Sequence, residues 1–149
     1  MSDFTRAGAD GRLTIAVPAK GRMSEPSLRL LADAGLSFEV TERSLVVPCA
    51  NAPVDLLLVR PSDIPEYVQD GVVHLGITGA NLVVEAQADV VTVAELAFAR
   101  CTLQAAVPSD APQTTIADLD GLRIATAYPV STRMLLEEKG VQAEIVTVS

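Results

Sequence analysis

The chain has 149 residues, of which 49% are apolar, 20% charged and only 3% aromatic, with no Trp. That is enough for one compact domain or two small lobes with a core of Val, Leu, Ile and Ala, and it argues against disorder over most of the length. The net charge of -8, with Lys20, Lys139 and nine arginines as the whole cationic supply, disfavours binding to nucleic acid, where affinity comes from clustered Lys and Arg.

Apolar runs such as Leu56-Leu57-Leu58-Val59 stop well short of the roughly 20 residues that span a bilayer, so no membrane partner is expected. The first residues have neither a basic nor an apolar stretch of the secretory kind, and residues 1–12 read as a flexible polar tail on a cytoplasmic protein. Cys49 and Cys101, with a single histidine in the chain, are too few soft ligands for a zinc cage and read as reduced, buried thiols.

In chain order, Leu13 to Val17 is a β-rich run closed by Pro18, and Ser24 opens a helical pattern with Leu28, Leu31 and Ala34 on one side before Gly35. Phe38 to Thr41 and Leu45 to Val47 read as short strands around a polar turn, and Val54 to Val59 as a strand buried on both faces. A helix over Asp63 to Gln69, capped by Ser62, ends at Asp70-Gly71. Val72 to Ile77 is the next strand, Ala80 to Ala86 the next helix, and Val90 to Val93 a further strand. Beyond them, Thr102 to Val107, Leu122 to Thr126 and Glu144 to Val148 read as strands, with a short helical turn near Ile116 and a longer helix from Val130 to Lys139. Strand and helix in alternation predict an α/β fold with mostly parallel sheets. The break at Ala94 to Arg100 predicts two lobes, residues 13–97 and 98–149, the second cut short after its last strand.

Ligands of open parallel sheets collect beyond the carboxyl ends of the strands. Pro18-Ala19-Lys20-Gly21-Arg22 follows the first strand there and offers two cations and glycine backbone to an anion, without the spacing of a Walker A loop. A solvated turn is the plain alternative. Arg60 follows the Val54 to Val59 strand, where its planar fork could hold a phosphate or simply pair with Asp63 or Glu66. Gly76-Ile77-Thr78-Gly79 repeats the geometry with flexible amides and a hydroxyl. In the second lobe Tyr128-Pro129-Val130-Ser131-Thr132-Arg133 enters a helix, and a cation there opposes the macrodipole unless it serves an outside anion or pairs with Glu137. Arg43 and Arg100 are weaker candidates. His74, alone within a strand, reads as a structural or exposed histidine, and no Asp or Glu spacing marks a metal site.

Taken together, Ala16-Val17-Pro18-Ala19-Lys20-Gly21-Arg22-Met23-Ser24-Glu25, Leu58-Val59-Arg60-Pro61-Ser62-Asp63-Ile64, Leu75-Gly76-Ile77-Thr78-Gly79 and Arg123-Ile124-Ala125-Thr126-Ala127-Tyr128-Pro129 resemble the ATP phosphoribosyltransferase family, from Leu13 to Ser149. The resemblance implies a two-lobed fold of the type II periplasmic-binding-protein kind and the first step of histidine biosynthesis. In that reaction ATP and phosphoribosyl pyrophosphate meet in the cleft between lobes, adenine N1 attacks ribose C1, and pyrophosphate leaves with Mg2+, for which no protein ligand is identified. It implies that Lys20, Gly21, Arg22, Arg43 and Arg60 contact ATP, that Thr78 and Gly79 wall the cleft, and that Tyr128, Thr132 and Arg133 face it from the second lobe. The resemblance further implies a homo-oligomer, with a separate regulatory subunit if the protein is of the short form.

Family members continue through a further strand and a Ser/Thr-Gly-x-Thr loop for the phosphoribosyl 5-phosphate. The 149 residues therefore resemble an amino-terminal part, expected to show little or no transferase activity alone. Two other readings remain: a non-catalytic cytosolic ligand-binding module of the same architecture, and an interaction subunit that pairs through its terminal strand.

Overall fold

The computed structural model describes residues 11–149, so all but the last two residues of the expected tail, 1–12, lie outside the described residues. The chain divides into two compact units, Met1–Arg100 and Cys101–Ser149. Both are built from strands joined by helices, and all strand pairs but one are parallel.

The first unit holds a four-stranded sheet in the order β2-β3-β1-β4, from β1 (Leu13–Pro18), β2 (Val46–Pro48), β3 (Val54–Val59) and β4 (Leu75–Gly76). β1 runs parallel to β3 over its whole length, from Leu13 opposite Val54 to Pro18 opposite Val59, and parallel to β4 at Ile15 and Ala16. β2 is antiparallel to β3. Alternation along the strands sends Ile15, Val17, Leu56 and Leu58 to one face, where Leu31 of α1 (Ser24–Asp33) joins them with Val47, Val54 and Ile77. Ala16 faces the other way, against Ile64 of α2 (Ile64–Gln69) and Val73, with Leu57, Val59 and Tyr67 packed around them. Both faces of the sheet are thus covered, as the continuous apolar run of β3 requires, and each fully buried Val, Leu or Ile contributes roughly 1.5–3 kcal/mol by leaving water.

Gly76 makes one of these contacts possible. A Cβ there would collide with the side chain of Ile64 and come within 2.9 Å of Val68 Cγ2, so α2 lies against β4 only because residue 76 has none.

The second unit pairs β5 (Arg123–Thr126) in parallel with β6 (Glu144–Thr147), joined by α4 (Pro129–Lys139). Its core is Leu119, Leu136 and Val141, with Ile116, Ile124, Ala143 and Ile145 against it. Leu119 ends a single 3-10 turn, Ile116–Leu119, whose start is tied by Asp118: its carboxylate accepts the backbone N–H of Thr114 (2.9 Å) and Thr115 (2.8 Å), which holds its pKa below the ordinary value.

Several expected elements do not form. Phe38 to Thr41 is not a strand; its approach is shaped by Asn51, whose side chain accepts the Ser37 N–H and donates to the Gly35 carbonyl, while Phe38 and Val40 pack on the core as loop side chains. Val90 to Val93 and Thr102 to Val107 form no strand, with Val91 86% and Val93 78% exposed; β-propensity measures fit to neighbours, and no ladder partner is present among the described residues. The Val72 to Ile77 strand contracts to β4, because Val72 and Val73 donate back to the Tyr67 carbonyl. Neither Ser24 nor Ser62 caps a helix: the cap positions are Met23 and Asp63, without side-chain bonds, and Ser27 Oγ donates to the Met23 carbonyl.

Candidate functional site

Because β3, β1 and β4 are neighbours running the same way, their carboxyl ends share one end of the sheet. The register makes this explicit: Pro18 lies opposite Val59, so the loop after β1 begins level with Arg60, and the Ala19 N–H donates to the Val59 carbonyl at 2.8 Å. The loop after β4 is drawn to the same place by Thr78, whose hydroxyl donates to the Pro61 carbonyl at 3.0 Å. β2 runs the other way, so the turn that precedes it sits at this end too. Val46 lies opposite Leu57 and the Leu58 N–H donates to the Leu45 carbonyl, which brings the Thr41 to Ser44 turn, with Arg43, beside the end of β3.

Lys20, Gly21 and Arg22 are all exposed in the loop between β1 and α1. Gly21 has φ +88°, a left-handed conformation that glycine adopts without strain, and its carbonyl accepts the Ser24 N–H to turn the chain into α1. Beside the loop lies an open depression of about 710 Å3 whose lining mixes Lys20 and the Glu25–Arg29 ion pair with the apolar Leu28, Ala32 and Phe38.

The cations among the described residues sort into two groups. Arg12, Arg29, Arg123 and Lys139 form ion pairs with Asp55, Glu25, Glu144 and Glu138. Lys20, Arg43, Arg60 and Arg133 form none among the described residues, and Arg22 reaches only the Arg100 carbonyl, at 3.5 Å. Arg60 therefore pairs with neither Asp63 nor Glu66, and Arg133 does not pair with Glu137. The chain has spare carboxylates, yet these cations stand open to solvent, the condition in which they can meet an anion. Arg100, also without an ion pair, joins them; only the fold, which brings its carbonyl to Arg22, sets it apart from an ordinary surface cation.

In the second unit Tyr128, Thr132 and Arg133 lie where β5 enters α4. Tyr128 N–H donates to Thr126 Oγ1 at 3.0 Å, and Thr132, only 8% exposed, donates its hydroxyl to the same oxygen at 3.3 Å. Thr132 is thereby committed to holding the turn, whereas Tyr128 is half-buried and Arg133 fully open.

His74 is built into the sheet, as its isolation predicts: its Nδ1 accepts the Thr14 N–H at 3.0 Å. Of the two cysteines expected to be buried, only Cys49 is, packed in the first unit's core, where burial pushes its pKa up; Cys101 is exposed, in none of the core clusters among the described residues, and both are free thiols. Among the described residues no helix is long and apolar enough to cross a membrane.

The family model described as "HisG: ATP phosphoribosyltransferase" matches residues 60–149, a span that takes in Arg60, Thr78, Gly79, Tyr128, Thr132 and Arg133. The ATP phosphoribosyltransferase of Maricaulis maris is 43% identical over 141 residues, covering 91% of this chain and 48% of that protein. The one from Methanopyrus kandleri is 42% identical over 138 residues, covering 92% and 49%. The chain spans about half the length of the curated relatives it matches. In fold it resembles a chain of the solved ATP phosphoribosyl transferase (HisG:HisZ) complex from Thermotoga maritima, with a TM-score of 0.64 at 24% identity over 92% of this chain and 64% of that one. With the family model matching well over half of its residues, the chain belongs to the HisG family of ATP phosphoribosyltransferases.

Proposed function

We propose that this chain carries the ATP-binding part of an ATP phosphoribosyltransferase, the enzyme that opens histidine biosynthesis by joining ATP to phosphoribosyl pyrophosphate. In that reaction adenine N1 forms a bond to ribose C1 as the C1–O bond to pyrophosphate breaks. The observation that carries the reading is the set of unpaired cations, Lys20, Arg22, Arg43 and Arg60, on loops at one end of the first unit's sheet. Such a cluster, held on rigid strand ends, is what a triphosphate needs in order to be gripped in one orientation.

In this reading Lys20, Arg22 and Arg60 meet the phosphates, Arg43 stands at the outer side, and the amides of Gly21 and Gly79 wall the site, with Thr78, its hydroxyl given to the Pro61 carbonyl, holding the Gly79 loop in place. Tyr128 and Arg133 make the second unit's contribution, with Thr132 holding their turn. The two units are then the two lobes of a periplasmic-binding-protein-like, type II scaffold.

Mg2+ belongs to this reaction with the pyrophosphate group. The side chains gathered here are cations, and among the described residues no three His, Cys, Asp or Glu side chains come together as an ion's ligands. They do not fit a protein-held Mg2+, so the ion is assigned to the substrate's own oxygens. A homo-oligomer, a separate regulatory subunit where the protein is of the short form, and a cytoplasmic location belong to the same reading; the Thermotoga maritima complex, with its two kinds of chain, is the precedent for the subunit.

Calorimetric titration of the 149-residue chain with ATP, AMP and a panel of amino acids tests this. ATP is expected to bind, and Arg60→Ala to weaken it by at least about tenfold, the loss of one charge-assisted contact. Binding of an amino acid with no response to ATP would overturn the proposal in favour of a solute-sensing module. Pyrophosphate release from ATP and phosphoribosyl pyrophosphate is expected to be slight for these residues alone.

A further inference from the structure

β4 is two residues long, yet it carries the Thr78-Gly79 loop to the sheet end, and what fixes its register is a side chain. Thr14 and Ala16 turn their peptide groups toward β4. The Thr14 carbonyl accepts the His74 N–H at 3.0 Å and the Ala16 carbonyl accepts the Ile77 N–H at 2.9 Å. A regular parallel ladder would supply one more backbone carbonyl, just before His74, to receive the Thr14 N–H. The chain there has already turned away: Val72 and Val73 donate to the Tyr67 carbonyl at 2.9 and 3.2 Å, and Val73 is buried against Ala16 and Ile64. The Thr14 N–H goes instead to His74 Nδ1 at 3.0 Å. One residue thus closes both peptide groups of Thr14, the carbonyl with its backbone and the N–H with its ring.

We propose that His74 is a positioning residue whose Nδ1 substitutes for the missing ladder carbonyl, sets where β4 begins, and through Leu75–Gly76 places Thr78 and Gly79. Its bearing on ligand rests on the reading of that loop as part of a phosphate site; its bearing on the loop's position does not. A buried or half-buried N–H that loses its acceptor is costly, so the ladder end should fray without the ring. Asn is the conservative replacement, because its Oδ1 is attached to Cγ as His Nδ1 is and can accept from the same side. Leu keeps bulk and removes the acceptor.

Three measurements on the labelled full chain decide it: imidazole 15N shifts in the unsubstituted protein, exchange of the Thr14 amide, and the Thr78 and Gly79 amide shifts. Nδ1 is expected to be the accepting nitrogen of the ring. His74→Leu is expected to speed Thr14 amide exchange by at least about tenfold and to shift Thr78 and Gly79, and His74→Asn to restore both. Protonation at Nδ1 in the unsubstituted protein overturns the proposal even if the Leu variant does not fold. An unchanged Thr14 amide, an unmoved Thr78-Gly79 loop in His74→Leu, or an Asn variant no better than Leu overturns it as well. All of this is read without ATP; failure of the unsubstituted chain to bind ATP would strike the phosphate-site reading and leave the His74 inference to stand or fall on the exchange data.

Discussion

The two units use the same strand, helix and parallel strand, and bury them very differently. β1 is paired along both edges and covered on both faces, with four consecutive residues buried from Ile15 to Pro18. β5 and β6 pair only with each other among the described residues, and no residue of either is fully buried. Local stability follows apolar burial and protected backbone bonds, so the first unit is the rigid platform and the second opens more readily. The loops with most of the unpaired cations belong to the rigid unit, which suits residues that must hold a polyanion in a fixed place.

This contrast can be broken in several ways, and the largest effect should come from the middle of the first sheet. Leu56, fully buried on β3, is expected to cost about 2–5 kcal/mol when changed to Ala, seen by denaturant unfolding. Amide protection in β5 and β6 should be unaffected; equal loss in both units would show that they do not open separately. Gly76→Ala comes next, at about 1–3 kcal/mol, since the added methyl must displace Ile64 and Val68. A thermal melt indistinguishable from that of the original chain would refute the close approach of α2 to β4.

The ion pairs sharpen the comparison. Arg12 holds Asp55 through both carboxylate oxygens, at 2.7 and 2.9 Å, and also reaches the Val54 carbonyl, tying the start of β1 to β3. The Arg12 hydrogen bonds, more than its charge, hold the Asp55 carboxyl below its ordinary range, against the opposing effect of burial. A carboxylate whose pKa is lowered by folding binds fewer protons folded than unfolded. Its contribution is therefore complete above the unfolded value of about 4 and is lost as pH falls through the lower, folded value. Asp55→Asn should flatten stability against pH below about pH 4, and an unchanged acid slope would show that the pair is not linked to folding. At the small end, Arg29 and Glu25 are an exposed pair on α1, and Arg29→Ala should change stability by no more than about 0.5 kcal/mol.

Much of this was legible in the sequence where residues act through their neighbours along the chain. Strands β1, β3 and β5, helices α3 (Ala80–Ala86) and α4, and the stop after α2 at Gly71 follow from local patterning, and Lys20, Arg22 and Arg60 from their place after apolar runs. What stayed hidden depends on partners distant in sequence. Val90 to Val93 has the composition of a strand and no ladder to join, while Val72 and Val73 are claimed by Tyr67 before β4 can use them. α1 does open at Ser24, but Ser62 only looks like the cap of α2, whose cap position is Asp63 without a side-chain bond; the hydroxyl that bonds at the start of α1 is that of Ser27, one turn in. Thr132 offers a hydroxyl by sequence, but the neighbouring Thr126 takes it. No spacing announces that His74 substitutes for a carbonyl.

The place of β1 between β3 and β4 also constrains how the chain comes to be folded. Among the described residues the strand synthesised first is an inner one, and its two neighbours lie about 40 and 60 positions further on, so its long loops must close before any ladder rewards them. A nascent chain will present this apolar segment to chaperones until residues beyond Gly76 have left the ribosome, making this inner strand the stretch most open to misassociation during synthesis.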